Sequence, residues 1–281
     1  MDCPICNGTR WKSVDVDGVE RLVRCDCWRT DVVDHLMRDA RIPPRYARAE
    51  LDTFEGGSNA KMEAFRLARQ FVAAFPVVDR GLLFYGPHGV GKTHLAVGIL
   101  KEAIRHKGTR GFFFETRDLL RMVRDTYNQS VEQTEMEVLK PVLEADLLVL
   151  DDLGSEKTSE WVQETLGMVV NVRYNKNLPT IFTSNLDDGL PNTDLLSFTY
   201  QLGSRTRSRL KEMCDWVRMD GFDVRDLGID ASPEAIVQAE KNQQNAPAPP
   251  PKGPRSKMAR ARLKKSGQFE LNWSGGKAGS K

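Results

Sequence analysis

The segment Gly86-Pro87-His88-Gly89-Val90-Gly91-Lys92-Thr93 constrains this chain more than any other, because it satisfies the G-x4-G-K-[ST] pattern in full. Its glycines let consecutive backbone N–H groups curl around an anion, and a helix starting near Lys92 adds the partial positive charge of its N-terminus. Lys92 brings a point charge to the β- and γ-phosphates, and the Thr93 hydroxyl suits a magnesium ion. The flanks agree: residues 81–85 read as a buried apolar strand, and residues 93–106 as an amphipathic helix. A purely structural glycine turn accounts for neither Lys92 nor Thr93. The spacing therefore predicts a nucleotide-binding loop on an α/β fold.

The surrounding pattern alternates between the two periods. Residues 112–114, 147–150, 180–183 and 216–219 read as further short strands. Between them, residues 119–127, 131–143, 161–174 and 200–213 read as helices. Repeated βα units imply a parallel sheet, here of five strands, with helices on both faces. In such a sheet the ligand lies beyond the C-terminal strand ends.

That rule gives meaning to what terminates the strands. The apolar run 147–150 ends in Asp151 and Asp152, 58 residues beyond Thr93. Asp151 is placed to hold Mg²⁺, directly or through water, and Asp152 to polarise an attacking water. Thr183-Ser184-Asn185 closes the next strand; Asn185 either orients water against the γ-phosphate or simply forms a turn. Farther on, Arg205, Arg207 and Arg209 lie on one expected helix, with Arg205 and Arg209 four apart on a shared face. That face either serves a neighbour's γ-phosphate or makes surface ion pairs.

The two ends differ from the middle. Four of the five cysteines fall in the first 27 residues, as Cys3-x2-Cys6 and Cys25-x-Cys27, around a hairpin expected at Asp17-Gly18. So small a segment cannot build a core, and a Zn²⁺ held by Cys3, Cys6, Cys25 and Cys27 would supply the missing stability. The lone Cys214 reads as a core residue on a helix. Lys plus Arg total 41 against 39 acids, yet residues 246–281 carry nine basic groups and one acid, so an acidic body carries a cationic tail. A Pro-rich linker, Ala246 to Pro251, opens that tail, which reads as disordered. No apolar run is long enough to span a membrane and no signal peptide is evident, so a cytoplasmic protein without membrane contact is expected.

Taken in order, GPHGVGKTHLA, LLVLDDLG, PTIFTSN and GSRTRSRL resemble the AAA+ ATPases of the bacterial helicase-loader group, of the DnaC and DnaI type, and their IstB-type relatives. The resemblance covers roughly residues 41–225. It implies an ATP hydrolase whose nucleotide contacts are Gly86 to Thr93 with the adjoining His94, and whose Mg²⁺ lies on Thr93 and Asp151. Asp152, Asn185 and Arg205 become the catalytic set, Arg205 as a trans-acting finger with Arg209 as its rival. It further implies a homo-oligomer with ATP sites between subunits, single-stranded DNA and a DnaB-type replicative helicase as partners, and slow turnover. The cysteine module is similar to the zinc-binding domain of DnaI-like loaders, which contacts the helicase. IPPRYARAELDTF is similar to the segment lying near the adenine. The domain expectation is residues 1–40 for zinc, 41–230 for the ATPase and 231–281 for the tail. Two other readings stand beside the loader: an IstB-like transposition ATPase that binds target DNA and recruits a transposase, and a nucleotide-gated switch with little hydrolysis.

Overall fold

In the computed structural model the described residues are 3–7, 9, 11–16, 19–54, 57–128 and 133–227, with 235, 238, 239, 262, 263, 269 and 270. The chain begins with an antiparallel hairpin, β1 (Trp11–Val16) and β2 (Val19–Arg24), in which Trp11 faces Arg24 and Val16 faces Val19. Its expected turn residues, Asp17 and Gly18, lie outside the described residues. Ile5, Trp11 and Leu22 are 64%, 50% and 73% exposed. Burying such a side chain contributes about 1.5–3 kcal/mol, a gain this segment largely forgoes.

Helix α1 (Cys27–Asp39) leads from the last cysteine pair into the body of the protein. Val33, Leu36 and Met37 pack on the core there, and the Ala40 carbonyl accepts from the Phe113 N–H at 2.8 Å. Helix α2 (Asn59–Ala74) starts at Ser58, whose hydroxyl accepts from the Lys61 N–H; such a cap contributes about 1 kcal/mol.

The repeating units follow: β3 (Gly81–Tyr85), α3 (Lys92–Lys107), β4 (Gly111–Glu115), α4 (Thr116–Asp125), α5 (Glu135–Glu144), β5 (Leu147–Asp151), α6 (Glu160–Asn175) and β6 (Thr180–Ser184). Two short helices, α7 (Phe198–Leu202) and α8 (Ser204–Met213), precede β7 (Cys214–Arg218). The five strands pair in parallel in the order β4-β5-β6-β3-β7, as the α/β expectation required. Every residue of β5 and β6 is buried. One core fills the face under α1, α2 and α3, with Leu95, Ile99 and Leu100 against Leu82, Phe84 and Val149. The other fills the face under α4 to α8, around Leu83, Leu148, Leu150 and Phe182.

Three expectations change in detail. The helix expected over 200–213 is two helices, broken at Gly203, whose φ of 81° lies in the left-handed region that favours glycine. The helix expected from residue 131 begins at Glu135, behind a capping box between Thr134 and Glu137; residues 131 and 132 are outside the described set. The last strand starts two residues early, because Cys214 pairs with Gly81; Cys214 is therefore a buried strand residue rather than a helical one.

Residues 245–281 form a separate unit. Its described residues hold two short antiparallel strands, β8 (Arg262–Leu263) and β9 (Phe269–Glu270). The expected disorder of the tail otherwise falls outside the described residues. Among those described, no helix is long and apolar enough to cross a membrane.

Candidate functional site: a nucleotide cleft at the strand ends

Parallel pairing brings the C-terminal ends of β3, β5 and β6 to one edge, and the chemistry-bearing residues are what follow there. After β3 the chain turns through Gly86, whose φ is 136° and where a Cβ would stand 2.0 Å from the Met219 carbonyl oxygen. It enters α3 through Gly91, at φ 100°, which caps the helix. Positive-φ turns of this kind let successive backbone N–H groups face an anion. Val90 is the exception to a loop devoted to ligand: its side chain is buried in the core, so only its backbone is available.

Lys92 is 7% exposed. Its ammonium donates to the carbonyls of Gly86 at 2.9 Å and Pro87 at 2.5 Å, and to Asn185 Oδ1 at 2.8 Å. Burial pulls this amine down to about 8, against the opposing pull of Asp152 and Asp151. One residue on, Thr93 Oγ1 donates to Asp151 Oδ1 at 2.8 Å, and Thr183 Oγ1 donates to the same oxygen at 2.6 Å. Burial raises the Asp151 carboxyl, while the Thr183 and Thr93 hydroxyls lower it. Asn185 Nδ2 donates to Asp152 Oδ1, so one amide spans Lys92 and Asp152. Asp152 has φ 56°, unusual for a residue with a side chain and of the kind that gathers at functional sites. The loop and the twin acids thus share hydrogen bonds.

These residues line a cleft of about 330 Å³ with His88, Arg45, Tyr46, Glu115 and Arg225. His94 also reaches it but is turned toward the Glu50 carbonyl, 2.7 Å from Nε2, and burial lowers its pKa. Arg45 and Tyr46 arrive on a short turn after Pro43, the Arg45 guanidinium 5.0 Å above the Tyr46 ring. Arg225 belongs to the cleft although no local motif marks it. It enters because the chain reverses after β7 and the Val224 N–H bonds the Gly89 carbonyl at 3.1 Å.

Arg205 lies elsewhere: it is exposed on α8 and does not line this cleft. Arg207 is paired to Asp188, and Arg209 lies 5.9 Å from the centre of the Tyr174 ring.

At the other end, the Sγ atoms of Cys3, Cys6, Cys25 and Cys27 lie within 4.8 Å of one another, with Cys3–Cys25 at 3.8 Å and Cys6–Cys27 at 3.4 Å. A tetrahedral Zn²⁺ with bonds of about 2.3 Å spaces its sulfurs by about 3.8 Å, so the cluster fits that ion. Backbone N–H groups of Ile5 and Cys6 pull the Cys3 thiol down to about 7, favouring thiolate, whereas the hydrogen bond with the crowding Cys6 pushes Cys27 up. A dication relieves that crowding.

A five-stranded parallel sheet with a phosphate loop after β3, paired acids at the end of β5 and a polar amide after β6 defines a P-loop protein of the AAA+ class. Within it the family is also shown. The family model described as IstB-like ATP binding protein matches residues 16–219, and the chain belongs to that family. Among curated relatives, the replicative helicase loader DnaC of Escherichia coli (strain K12) is 26% identical over 170 residues, 60% of this chain and 66% of that protein. The replicative helicase loader DnaI of Bacillus subtilis (strain 168) is 26% identical over 221 residues, 75% of this chain and 69% of that protein. The chain thus spans about two thirds of the length of these relatives. The crystal structure of the DnaC helicase loader superimposes with a TM-score of 0.56 at 36% identity, covering 63% of this chain and 100% of that one. Binding and hydrolysing ATP is the general activity that family membership supports.

Proposed function

We propose that this chain is an ATP-driven loader that places or remodels a hexameric replicative helicase on single-stranded DNA. The observation that carries the reading is the shared network at the strand ends: Lys92 to Asn185, Asn185 to Asp152, and Thr93 to Asp151. The arrangement supports a division of labour. Gly86 to Gly91 and Lys92 take the phosphates, and Thr93 and Asp151 offer hard oxygens to a Mg²⁺, which would neutralise charge on the β- and γ-phosphates. Asp152 accepts the proton of the attacking water, and Asn185 holds that water and Asp152 in line. Arg45, Tyr46 and Arg225 line the same cleft, where the two guanidiniums would meet phosphate charge and the ring the base. Turnover is slow in the isolated chain, because the trans-acting arginine comes from a neighbouring subunit in the homo-oligomer.

The helicase role is supported by the DnaC and DnaI relationships, and the zinc module supports the loader over the transposition reading. Size-exclusion chromatography of the full chain with a purified DnaB-type helicase tests it. Co-elution is expected in ATP. No association, with stable coating of duplex DNA instead, sinks the loader and favours the IstB-like role. Turnover absent with and without single-stranded DNA, while ATP still binds, favours the switch.

The zinc assignment makes its own prediction. Elemental analysis is expected to find one zinc per chain, lost in Cys6→Ser. Structural zinc contributes about 10–16 kcal/mol to such modules, so protease cleavage before residue 27 should follow, with ATP turnover unchanged. A metal-free wild-type chain with an intact N-terminus contradicts the assignment.

A further inference from the structure

We propose that Asp188 is a positioning residue that ties the end of β6 to α8 and sets the direction in which α8 presents Arg205 and Arg209. The inference rests on the reading of α8 as the source of the trans-acting arginine, and it adds the group that aims it.

Asn185 and Asp188 are three residues apart, yet they serve different partners. Asn185 is bonded to Lys92 and Asp152 at the nucleotide cleft. The Asp188 carboxylate, 17% exposed, divides its oxygens: Oδ1 accepts from Arg207 Nε at 2.7 Å, and Oδ2 lies 2.7 Å from Lys211 Nζ. Arg207 and Lys211 are one turn apart on α8, so a single acid grips two successive turns. At about 100° per residue, the gripped face lies about 200° around the helix from Arg205. Asp188 therefore holds the back of the helix whose front carries Arg205 and Arg209.

Helix α8 is also held by packing, through buried Thr206 and Leu210 and through Arg80, which donates to the Lys211 carbonyl at 2.6 Å; the Asp188 grip fixes how the helix is turned within that packing. The N-terminal end of α8 starts at Gly203, and its C-terminal end is held where Trp216 Nε1 donates to the Leu210 carbonyl at 3.0 Å. The loop bearing Asp188 is itself stiff: the Asp187 N–H bonds the Leu196 carbonyl at 2.8 Å, and the Gly189 N–H bonds Asp187 Oδ1 at 2.9 Å. Partly exposed ion pairs add little stability. The value of this one is geometric.

Full-length Asp188→Asn, Asp188→Glu, Arg207→Gln and Asp188→Asn/Arg207→Gln variants are compared with Arg205→Ala and Arg209→Ala. The readouts are ATP turnover with single-stranded DNA, ATP affinity and thermal midpoint. Asp188→Asn is expected to lower kcat about 2- to 30-fold with KM and ATP affinity unchanged. Asp188→Glu should restore most of that loss, and the double variant should be no worse than Asp188→Asn alone. Added to whichever arginine variant lowers kcat, Asp188→Asn should have no further effect. An unchanged kcat in folded Asp188→Asn, additivity with the arginine variant, or a parallel loss of ATP affinity overturns the inference. If neither arginine variant lowers kcat, the trans-arginine reading itself fails, and the inference falls with it.

Discussion

Lys92→Ala is expected to abolish ATP binding while the chain stays folded. The Lys92 ammonium bonds the loop carbonyls of Gly86 and Pro87 and also Asn185 Oδ1 at the end of β6. Each charge-assisted hydrogen bond to phosphate lost with it costs about 1.5–3 kcal/mol, so two such losses weaken binding by about 10²-fold or more. The fold survives because Lys92 packs at the start of α3 rather than within either core, and alanine is a good helix former. Isothermal titration with an ATP analogue and a thermal melt separate the outcomes. Normal affinity in a folded variant removes the phosphate-loop assignment. A pH series sharpens the test. Burial holds the Lys92 amine at about 8 in the free protein, and the phosphates favour its charged form. Binding therefore takes up a proton once pH exceeds about 8, and wild-type affinity should fall as pH rises through that value.

What was legible before the structure follows from how local the physics is. The loop 86–93 could be read because its function needs consecutive residues, and β5 and β6 because buried parallel strands are continuous apolar runs. The break at Gly203 was hidden for a physical reason. Phe198, Leu202, Thr206 and Leu210 are all buried at spacings of four, so the apolar stripe runs across the break as if one helix carried it. Arg225 was invisible because its place depends on a chain reversal at Gly221, φ 148°, and a backbone bond to Gly89. Nothing in composition marks Asp152 for the left-handed region. Cys214 was misplaced because only pairing with Gly81 decides that it is a strand residue. Sequence periodicity reports which residues are buried; it does not report which carbonyl a distant N–H will find.

The second large effect concerns the arginine proposed to come from a neighbouring subunit. Arg205→Ala is expected to lower turnover by about 10³- to 10⁵-fold, the range of a trans-acting arginine finger, and to leave ATP affinity unchanged. The geometry favours this residue because Arg205 is exposed and lies outside its own cleft, whereas Arg207 is engaged by Asp188 and Arg209 by the Tyr174 ring. Mixing gives the discriminating measurement. An Arg205→Ala subunit keeps an intact cleft, and a Lys92→Ala subunit keeps its arginine, so their shared interface holds one complete site. Activity should reappear when the two inactive variants are combined. A group acting within its own subunit cannot be supplied by a neighbour, so mixtures that stay inactive exclude a trans role for Arg205. If recovery occurs with Arg209→Ala in its place, while Arg205→Ala alone turns over normally, the finger is Arg209, released from Tyr174 as the neighbouring subunit docks.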